Sequence, residues 1–300
     1  LPLSLAAATA VASRRPAEGY RWRYEDGLVL LGVRETGLRK ARAELVDFVR
    51  AAVERLVAPD GSIEGYRRDE YNLDQINPGK LLFGLRGSSN DPRYVKAIAA
   101  LADQLRTQPR TPSGGFWHKG IYPNQMWLDG LYMAAPFYLR LVLEGEAAAG
   151  SRAVDPPGAA RIGEGLADVA RQFELAETHC LDRSTGLLRH AWDEARLQAW
   201  ADPETGRSPH AWGRAMGWFA MALADCLGIA RDARIGRTDG GAGTAALEAT
   251  LSGMLRRLAD AVSRNLDPET GLAWQVMDRP GDEGNYLECS ASCMFAYAFS

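Results

Sequence analysis

The chain contains little histidine and cysteine, and it has no long apolar run. Its 300 residues include four His and four Cys. No His shows zinc-ligand spacing and no Cys-x-x-Cys pair occurs, so we expect neither a metal enzyme nor a disulfide framework. No apolar run is long enough to cross a bilayer, and a net charge of −3 provides no basic field for nucleic acid or an anionic membrane. We therefore expect no metal, no cofactor, no nucleic-acid partner and no membrane partner.

Two of the cysteines lie close together near the end of the chain. Cys289 and Cys293 are four residues apart in a helical pattern, so they share one face of a helix. We expect both to be small buried residues.

The chain begins with an Ala-rich apolar segment that allows two interpretations. Residues 1–12 resemble the tail of a signal peptide, with residues 10–12 as a small-residue cleavage site. They also suit an Ala-rich helix that ends before Pro16. No basic region precedes the apolar residues, so we favour the helix and a cytoplasmic location, with secretion as the alternative.

Helical periodicity dominates the rest of the sequence. Apolar residues recur at intervals of three and four within residues 45–56, 94–105, 162–173 and 247–262. Asp91 and Pro92 precede the second of these stretches as an N-cap and a first helical residue. With motif helices near residues 74, 124, 211 and 286 and helices before residue 37, we expect nine or ten helices.

Gly-containing turns followed by short aromatic segments recur between these helices. One such turn is residues 182–186 and another is residues 267–271. The unit recurs without a strict period, which indicates helical hairpins that build a solenoid or a closed toroid. Residues 145–160 and 235–244 are predicted loop insertions within one domain that spans residues 1–300.

Three segments collect polar and aromatic residues at helix starts: residues 71–78, 116–133 and 209–218. On a helix, Gln125 and Asp129 share one face, as do Arg214 and Trp218. In a toroid of hairpins, alternate helices line the interior with like ends together. We therefore expect the three helix starts to converge on one funnel-shaped site.

Asp129 is the candidate proton donor. It follows Met126, Trp127 and Leu128, and apolar surroundings favour the protonated carboxyl that a general acid requires. The start of a helix favours the ionised form instead. A second carboxylate nearby would favour the protonated form again, and Asp74 is the best partner.

Each of these residues also has a structural interpretation. Asp129 could be an ordinary acidic residue in the first turn of a helix, and Asp74 a simple N-cap. Arg214 could belong to a structural ion pair. His118 and His190 could be hydrogen-bonded core residues, and many of the Trp and Tyr residues could pack in the core.

Three motifs resemble the unsaturated rhamnogalacturonyl hydrolases, glycoside hydrolase family 105, and the related unsaturated glucuronyl hydrolases of family 88. They are Gly-Gly-Phe-Trp-His-Lys at residues 114–119, Tyr-Pro-x-Gln-Met-Trp-Leu-Asp-Gly-Leu-Tyr-Met at residues 122–133, and Trp-Gly-Arg-Ala-Met-Gly-Trp at residues 212–218. The resemblance runs from about residue 9 to residue 300 and implies an all-α fold, the (α/α)6 barrel or six-hairpin toroid. Because the helical pattern stops at Ser300 without a cap or a polar tail, we expect the last C-terminal helices of that fold to be missing.

The resemblance also implies roles for individual residues. Asp129 matches the general acid that later activates water, and Asp74 matches a second acidic site residue. The positions that match substrate contacts or the pocket wall are His118, Lys119, Trp127, His190, Trp212, Arg214 and Trp218.

The implied reaction removes a terminal 4,5-unsaturated uronic acid from pectin (rhamnogalacturonan) oligosaccharides by hydration of the C4–C5 double bond. A rival on the same fold is a family 88-like unsaturated glucuronyl hydrolase that acts on other polysaccharide fragments. A sugar epimerase is a further rival, but it would favour a His-rich site. A rival of another class is a non-catalytic carbohydrate-binding toroid, and the presence of both Asp74 and Asp129 argues against it.

Overall fold

The computed structural model describes residues 2–144, 159–235 and 241–300. Ten α-helices and two short strands lie in these ranges, so the prediction of an all-α chain with nine or ten helices is confirmed. The predicted insertions at residues 145–160 and 235–244 fall mainly on residues 145–158 and 236–240, which lie outside the described residues. Among the described helices, none is long and apolar enough to cross a membrane.

Contacts along the chain group it into two compact units. The first comprises Leu1–Thr107 and Glu144–Pro156, and the second comprises Gln108–Leu143 and Pro157–Ser300. Each unit is described by itself below, and the single domain expected from the sequence stays a prediction.

The first unit contains five helices that form neighbouring pairs. These are α1 Leu3–Arg14, α2 Tyr24–Arg39, α3 Ala43–Leu56, α4 Lys80–Ser88 and α5 Pro92–Thr107. Helix α2 packs against α1 and α3, and α4 packs against α5. Helix α5 begins as predicted, because Asp91 Oδ1 accepts the backbone N–H of Arg93 at 2.9 Å and Pro92 is the first helical residue.

The polar segment around Asp74 forms two short 3-10 turns instead of an α-helix. They are Leu73–Gln75 and Asn77–Gly79, directly before α4. The side chain of Asn72 accepts the backbone N–H of Asp74 at 3.0 Å, so Asn72 is the N-cap of the first turn. The alternative interpretation of Asp74 as a simple N-cap is therefore wrong.

The second unit contains the other five helices and both strands. They are β1 Gln125–Trp127, α6 Leu128–Glu144, α7 Ala159–Cys180, β2 Ala191–Asp193, α8 Gly213–Ile235, α9 Ala242–Arg264 and α10 Cys289–Phe299. Helix α8 packs against α9 and α10, and α9 also packs against α7. The predicted apolar stripes of α7 and α9 are buried, for example at Phe173 and Leu251.

The start of α6 differs from the sequence-based expectation. Gln125 belongs to strand β1, and the helix begins three residues later, at Leu128. The prediction that Gln125 and Asp129 share one helix face is therefore wrong. The reason is that β1 pairs with β2 in an antiparallel ladder, so the backbone of Gln125 is held by a strand partner and not by a helical turn.

The prediction of buried Cys289 and Cys293 is also wrong. Both are exposed free thiols whose Sγ atoms lie 4.0 Å apart on α10. The buried face of α10 carries Ala291, Met294 and Phe295. The two cysteines share one helix face, as predicted, but it is the opposite face.

Three turns share one hydrogen-bonding pattern. They are residues 182–186, 202–206 and 267–271, and in each the final Gly donates its N–H to the carbonyl of the first Asp at 2.8 Å. The same Asp accepts further backbone N–H groups with its carboxylate, for example from Thr205 at 2.7 Å and Thr270 at 2.8 Å. The Gly has φ of 70° to 76° in all three turns, a conformation that other residues adopt only with strain.

A pair of glycine substitutions tests how closely the chain packs at one of these turns. Residues 202–206 and 267–271 have the same sequence, Asp-Pro-Glu-Thr-Gly. A Cβ at Gly206 would lie 2.2 Å from the carbonyl oxygen of Asp193, whereas one at Gly271 would have nothing within 4 Å. We expect Gly271→Ala to lower the free energy of unfolding by about 1–2 kcal/mol through backbone strain alone. Gly206→Ala should cost about 1–3 kcal/mol more because of the overlap. Urea unfolding measures both, and equal losses would contradict the close approach at Gly206.

Candidate active site

A two-stranded ladder holds Asp129 in place. Asp129 is half-buried in the first turn of α6, directly after β1. Strand β1 pairs with β2 so that Trp127 lies opposite Ala191. Beyond the last pair, the N–H of Leu128 donates to the carbonyl of His190 at 3.0 Å. The backbone therefore fixes the start of α6 against the His190 segment.

Six neighbouring rings, with Trp127 at their centre, form a group that is named here the aromatic cluster. The cluster consists of His118, Tyr122, Trp127, His190, Trp200 and Trp212. The rings of His118 and Tyr122 lie nearly parallel to Trp127, with centres 5.6 Å and 5.4 Å away. Those of His190 and Trp200 stand nearly perpendicular to it, at 5.5 Å and 6.5 Å. Such aromatic walls are typical of small-molecule pockets, and Trp127 precedes Asp129 by only two residues.

Local hydrogen bonds bring His118 and Tyr122 to Trp127. The N–H of Tyr122 donates to the carbonyl of Lys119 at 2.9 Å, and the N–H of His118 donates to the carbonyl of Gln125 at 2.9 Å. The segment therefore folds back on itself before β1. Asn124 has φ of 60° at this bend, a left-handed conformation that Asn adopts more readily than most residues.

His190 has an uncharged imidazole near neutral pH. Burial among the rings lowers its pKa, and a hydrogen bond with the backbone of His210 opposes that shift only in part. His190 is therefore suited to hydrogen bonding with a neutral group.

Arg214 is engaged by two neighbours. Its guanidinium forms an ion pair with Glu288, and it lies 4.5 Å from the ring centre of Trp212. Glu288 is 5% exposed and also accepts a hydrogen bond from Ser290 Oγ at 2.6 Å. The ion-pair interpretation of Arg214 is thus correct, while its contact with substrate stays a prediction.

Asp278 stabilises the backbone next to two rings of the aromatic cluster, His190 and Trp212. Its carboxylate accepts the N–H of Ala211 at 2.8 Å and pairs with Arg189 Nη1 at 2.6 Å. Burial raises the pKa of Asp278, but these two partners together lower it below the ordinary value. The ionised Asp278 therefore holds the residues next to His190 and Trp212.

The remaining predicted residues lie in different surroundings. Lys119 is half-buried, with Nζ 5.9 Å from the ring centre of Tyr122. Trp218 is 4% exposed and packs against Tyr132, with ring centres 4.9 Å apart. Trp218 is therefore buried in the second unit, and its contact with substrate stays a prediction. Asp74 belongs to the first unit, and its place beside Asp129 stays a prediction.

Sequence reasoning missed three residues of this region: Tyr122, Trp200 and Glu288. Tyr122 lies inside the second motif, next to a proline, and no sequence pattern indicated that its ring belongs to the site. Trp200 lies in a stretch without periodicity, although it directly precedes the turn at residues 202–206. In the described part of the chain, no three metal-ligating side chains gather.

Comparisons with known proteins agree with this picture. A family model described as Glycosyl Hydrolase Family 88 matches residues 8–300. The chain is 43% identical to the protein Atu3128 of Agrobacterium fabrum over 133 residues, which are 44% of this chain and 51% of that protein. The chain thus aligns with about half the length of that relative. It is 27% identical to the unsaturated rhamnogalacturonyl hydrolase YesR of Bacillus subtilis, over 93% of this chain and 70% of YesR.

A solved structure is also similar. It is a glycoside hydrolase from family 105 of C. acetobutylicum, with a TM-score of 0.85 and 35% identity, covering 99% of this chain and 76% of that one. The predicted fold class, the all-α six-hairpin toroid, is confirmed by this likeness.

The half-buried His190 should make stability depend on pH. Because its pKa is lowered in the folded protein, the unfolded chain binds the proton more readily. The free energy of unfolding should therefore fall as the pH drops below about 6.5, the ordinary imidazole pKa. His190→Gln removes this contribution and should weaken the decline, as measured by urea unfolding across the pH range. A variant with the same decline as the parent would contradict the assignment.

The Arg214–Glu288 pair should show energetic coupling. Each of Arg214→Gln and Glu288→Gln should lower the free energy of unfolding by about 1–2 kcal/mol, a value reduced from that of a fully buried pair because Arg214 is partly exposed. The double variant should lose less than the sum of the two, because the second substitution removes a group that has already lost its partner. Strict additivity would show that the pair contributes no net interaction.

Proposed function

Because the chain belongs to the glycoside hydrolases of the related families 88 and 105, we propose that it removes a terminal 4,5-unsaturated uronic acid from pectin (rhamnogalacturonan) oligosaccharides. Its main support is the position of Asp129, a half-buried carboxyl in the first turn of α6, two residues after Trp127 of the aromatic cluster. The family resemblance inferred from the three motifs is confirmed by the family match.

The choice of a pectin fragment rests on two observations. The similar protein from B. subtilis is named an unsaturated rhamnogalacturonyl hydrolase. The aromatic cluster offers several ring faces and an uncharged His190, which suits the apolar faces and hydroxyl groups of a sugar.

The proposed reaction begins with a proton transfer from Asp129. The carboxyl of Asp129 protonates C4 of the unsaturated ring, and the electron pair of the C4–C5 double bond forms the new C–H bond. Positive charge develops at C5 and is shared with the ring oxygen. The Asp129 carboxylate then accepts a proton from a water molecule as its oxygen bonds to C5, which restores the acid.

The resulting hemiketal opens by cleavage of the bond between C5 and the ring oxygen, which gives a ketone at C5 and leaves a hemiacetal at C1. Collapse of this hemiacetal to an aldehyde breaks the glycosidic bond and releases the next sugar with its hydroxyl group protonated. One carboxyl in two roles is sufficient, and the configuration at C1 plays no part. Ordinary glycosidases, in contrast, place two carboxyl groups at the anomeric carbon. We propose Asp74 as a second acid that assists Asp129, on the basis of its motif.

The uronate carboxylate requires a cationic partner. Lys119 and Arg214 are the candidates that the motifs offer, and the charge of Arg214 is already balanced by Glu288. We assign the main contact with the carboxylate to Lys119, whose Nζ lies 5.9 Å from the ring centre of Tyr122 in the aromatic cluster, and a positioning role to Arg214 against Trp212.

The decisive experiment follows the ultraviolet absorbance of the C4–C5 double bond during incubation with lyase-generated rhamnogalacturonan oligosaccharides. The absorbance should fall with the parent protein. Asp129→Asn preserves the shape of the side chain but removes the proton donor, so the rate should fall by about 100-fold to 10,000-fold. The matched control is Asp260→Asn at an exposed position on α9, which should leave the rate unchanged.

Other outcomes distinguish the rival functions. Consumption of glycosaminoglycan fragments in place of pectic ones would support the family 88-like alternative. An unchanged absorbance with every substrate, for a folded protein that still binds oligosaccharides, would contradict the hydrolase and support a binding protein.

A further inference from the structure

We propose that Trp200 forms a second sugar position in this site, where the neutral sugar attached to the unsaturated uronic acid stacks on the indole ring. This inference rests on the proposed function and adds to it the residue that recognises the next sugar. Neither the motifs nor the family resemblance pointed to Trp200.

Asp193 shapes the loop that carries Trp200. Its side chain is 1% exposed. The carboxylate accepts the backbone N–H groups of Ala195 at 3.0 Å, Leu197 at 2.8 Å and Gln198 at 2.9 Å. A buried carboxylate with three donors is a strong constraint on the backbone, so the first half of the loop has a defined conformation.

The far end of the loop is held as well. The indole N–H of Trp192 donates to the carbonyl of Thr205 at 3.1 Å, and the N–H of Asp202 donates to the carbonyl of Arg207 at 2.9 Å. Trp192 itself is buried and stacks on His179, with ring centres 3.7 Å apart. Trp192 therefore packs inside the protein and stabilises the loop. Trp200, in contrast, is half-buried on the loop, and the loop is held at both ends by these hydrogen bonds.

The ring of Trp200 is placed to form a corner with Trp127. The two ring planes meet at 80°, with centres 6.5 Å apart. The ring of His190 lies 6.1 Å from Trp200. A sugar stacked on one indole would present its edge to the other, so the corner can fix both the position and the orientation of a ring.

The charge around the corner favours a neutral sugar. The indoles carry no charge, and His190 is uncharged near neutral pH because burial lowers its pKa. The carboxylates of Asp193 and Asp202 are both occupied by backbone N–H groups of the loop. The cations of the cluster, Lys119 and Arg214, lie against Tyr122 and Trp212, where the unsaturated uronate is proposed to bind, which leaves the corner of Trp200 and Trp127 to the neutral sugar.

The test compares two substrates that share the unsaturated uronic acid. One is the disaccharide with rhamnose, and the other is the methyl glycoside, which lacks the second sugar. Trp200→Ala should lower kcat/KM for the disaccharide about tenfold more than for the methyl glycoside, a difference equivalent to about 1.4 kcal/mol. Trp200→Phe should restore part of the loss. The matched control is Leu197→Ala at an 81% exposed position of the same loop, which should affect neither substrate.

Two results would overturn the inference. An equal loss for both substrates would mean that Trp200 only supports the fold of the site, and an unchanged disaccharide rate would mean that it does not contact the second sugar. If the parent protein cleaves neither substrate, the proposed function fails. The inference is then decided by titrating each compound into the parent and Trp200→Ala proteins, where only a loss of affinity confined to the disaccharide supports it.

Discussion

The pairing of β1 with β2 is the constraint on which the candidate active site depends. These strands of three residues each contribute little to a chain that is mostly helical. Yet β1 leads directly into the helix that carries Asp129, and β2 lies between His190 and the Asp193 loop. If the ladder were lost, Asp129, the ring of Trp127 and the loop of Trp200 would no longer be held in fixed positions. The backbone therefore determines the geometry of the site before any side chain interacts with substrate.

The sequence predicts the helices well where a buried stripe and a capping residue agree. Helix α5 combines both signals, with Asp91 and Pro92 at its start and an apolar face behind them. The failures occur where the periodic signal is ambiguous. The sequence of residues 125–127 suits a helix, but these residues form a strand because they hydrogen-bond to a second strand about 65 residues later in the sequence. Cys289 and Cys293 lie in an apolar helix, and its sequence does not indicate which of the two apolar faces is buried.

The candidate site likewise contains residues that the sequence identifies and residues that only the tertiary structure identifies. The motifs identified His118, Trp127 and Trp212, the family resemblance added His190, and the structure brings these rings together. Composition could not separate Trp200, at the corner, from Trp218, in the core, because burial depends on the tertiary fold. The pairing of Arg214 with Glu288 was equally inaccessible from the sequence, since no local pattern links residues on two different helices.

The separation of Arg214 and Glu288 along the chain has a consequence for biosynthesis. The two residues are 74 positions apart, so at a typical synthesis rate roughly 4–15 s pass between their appearances on the ribosome. During that interval the guanidinium beside Trp212 lacks its carboxylate, and the nascent site is exposed to incorrect ionic contacts. The group of Trp212, Arg214 and Glu288 is therefore completed late, after α8 and α9 have been synthesised.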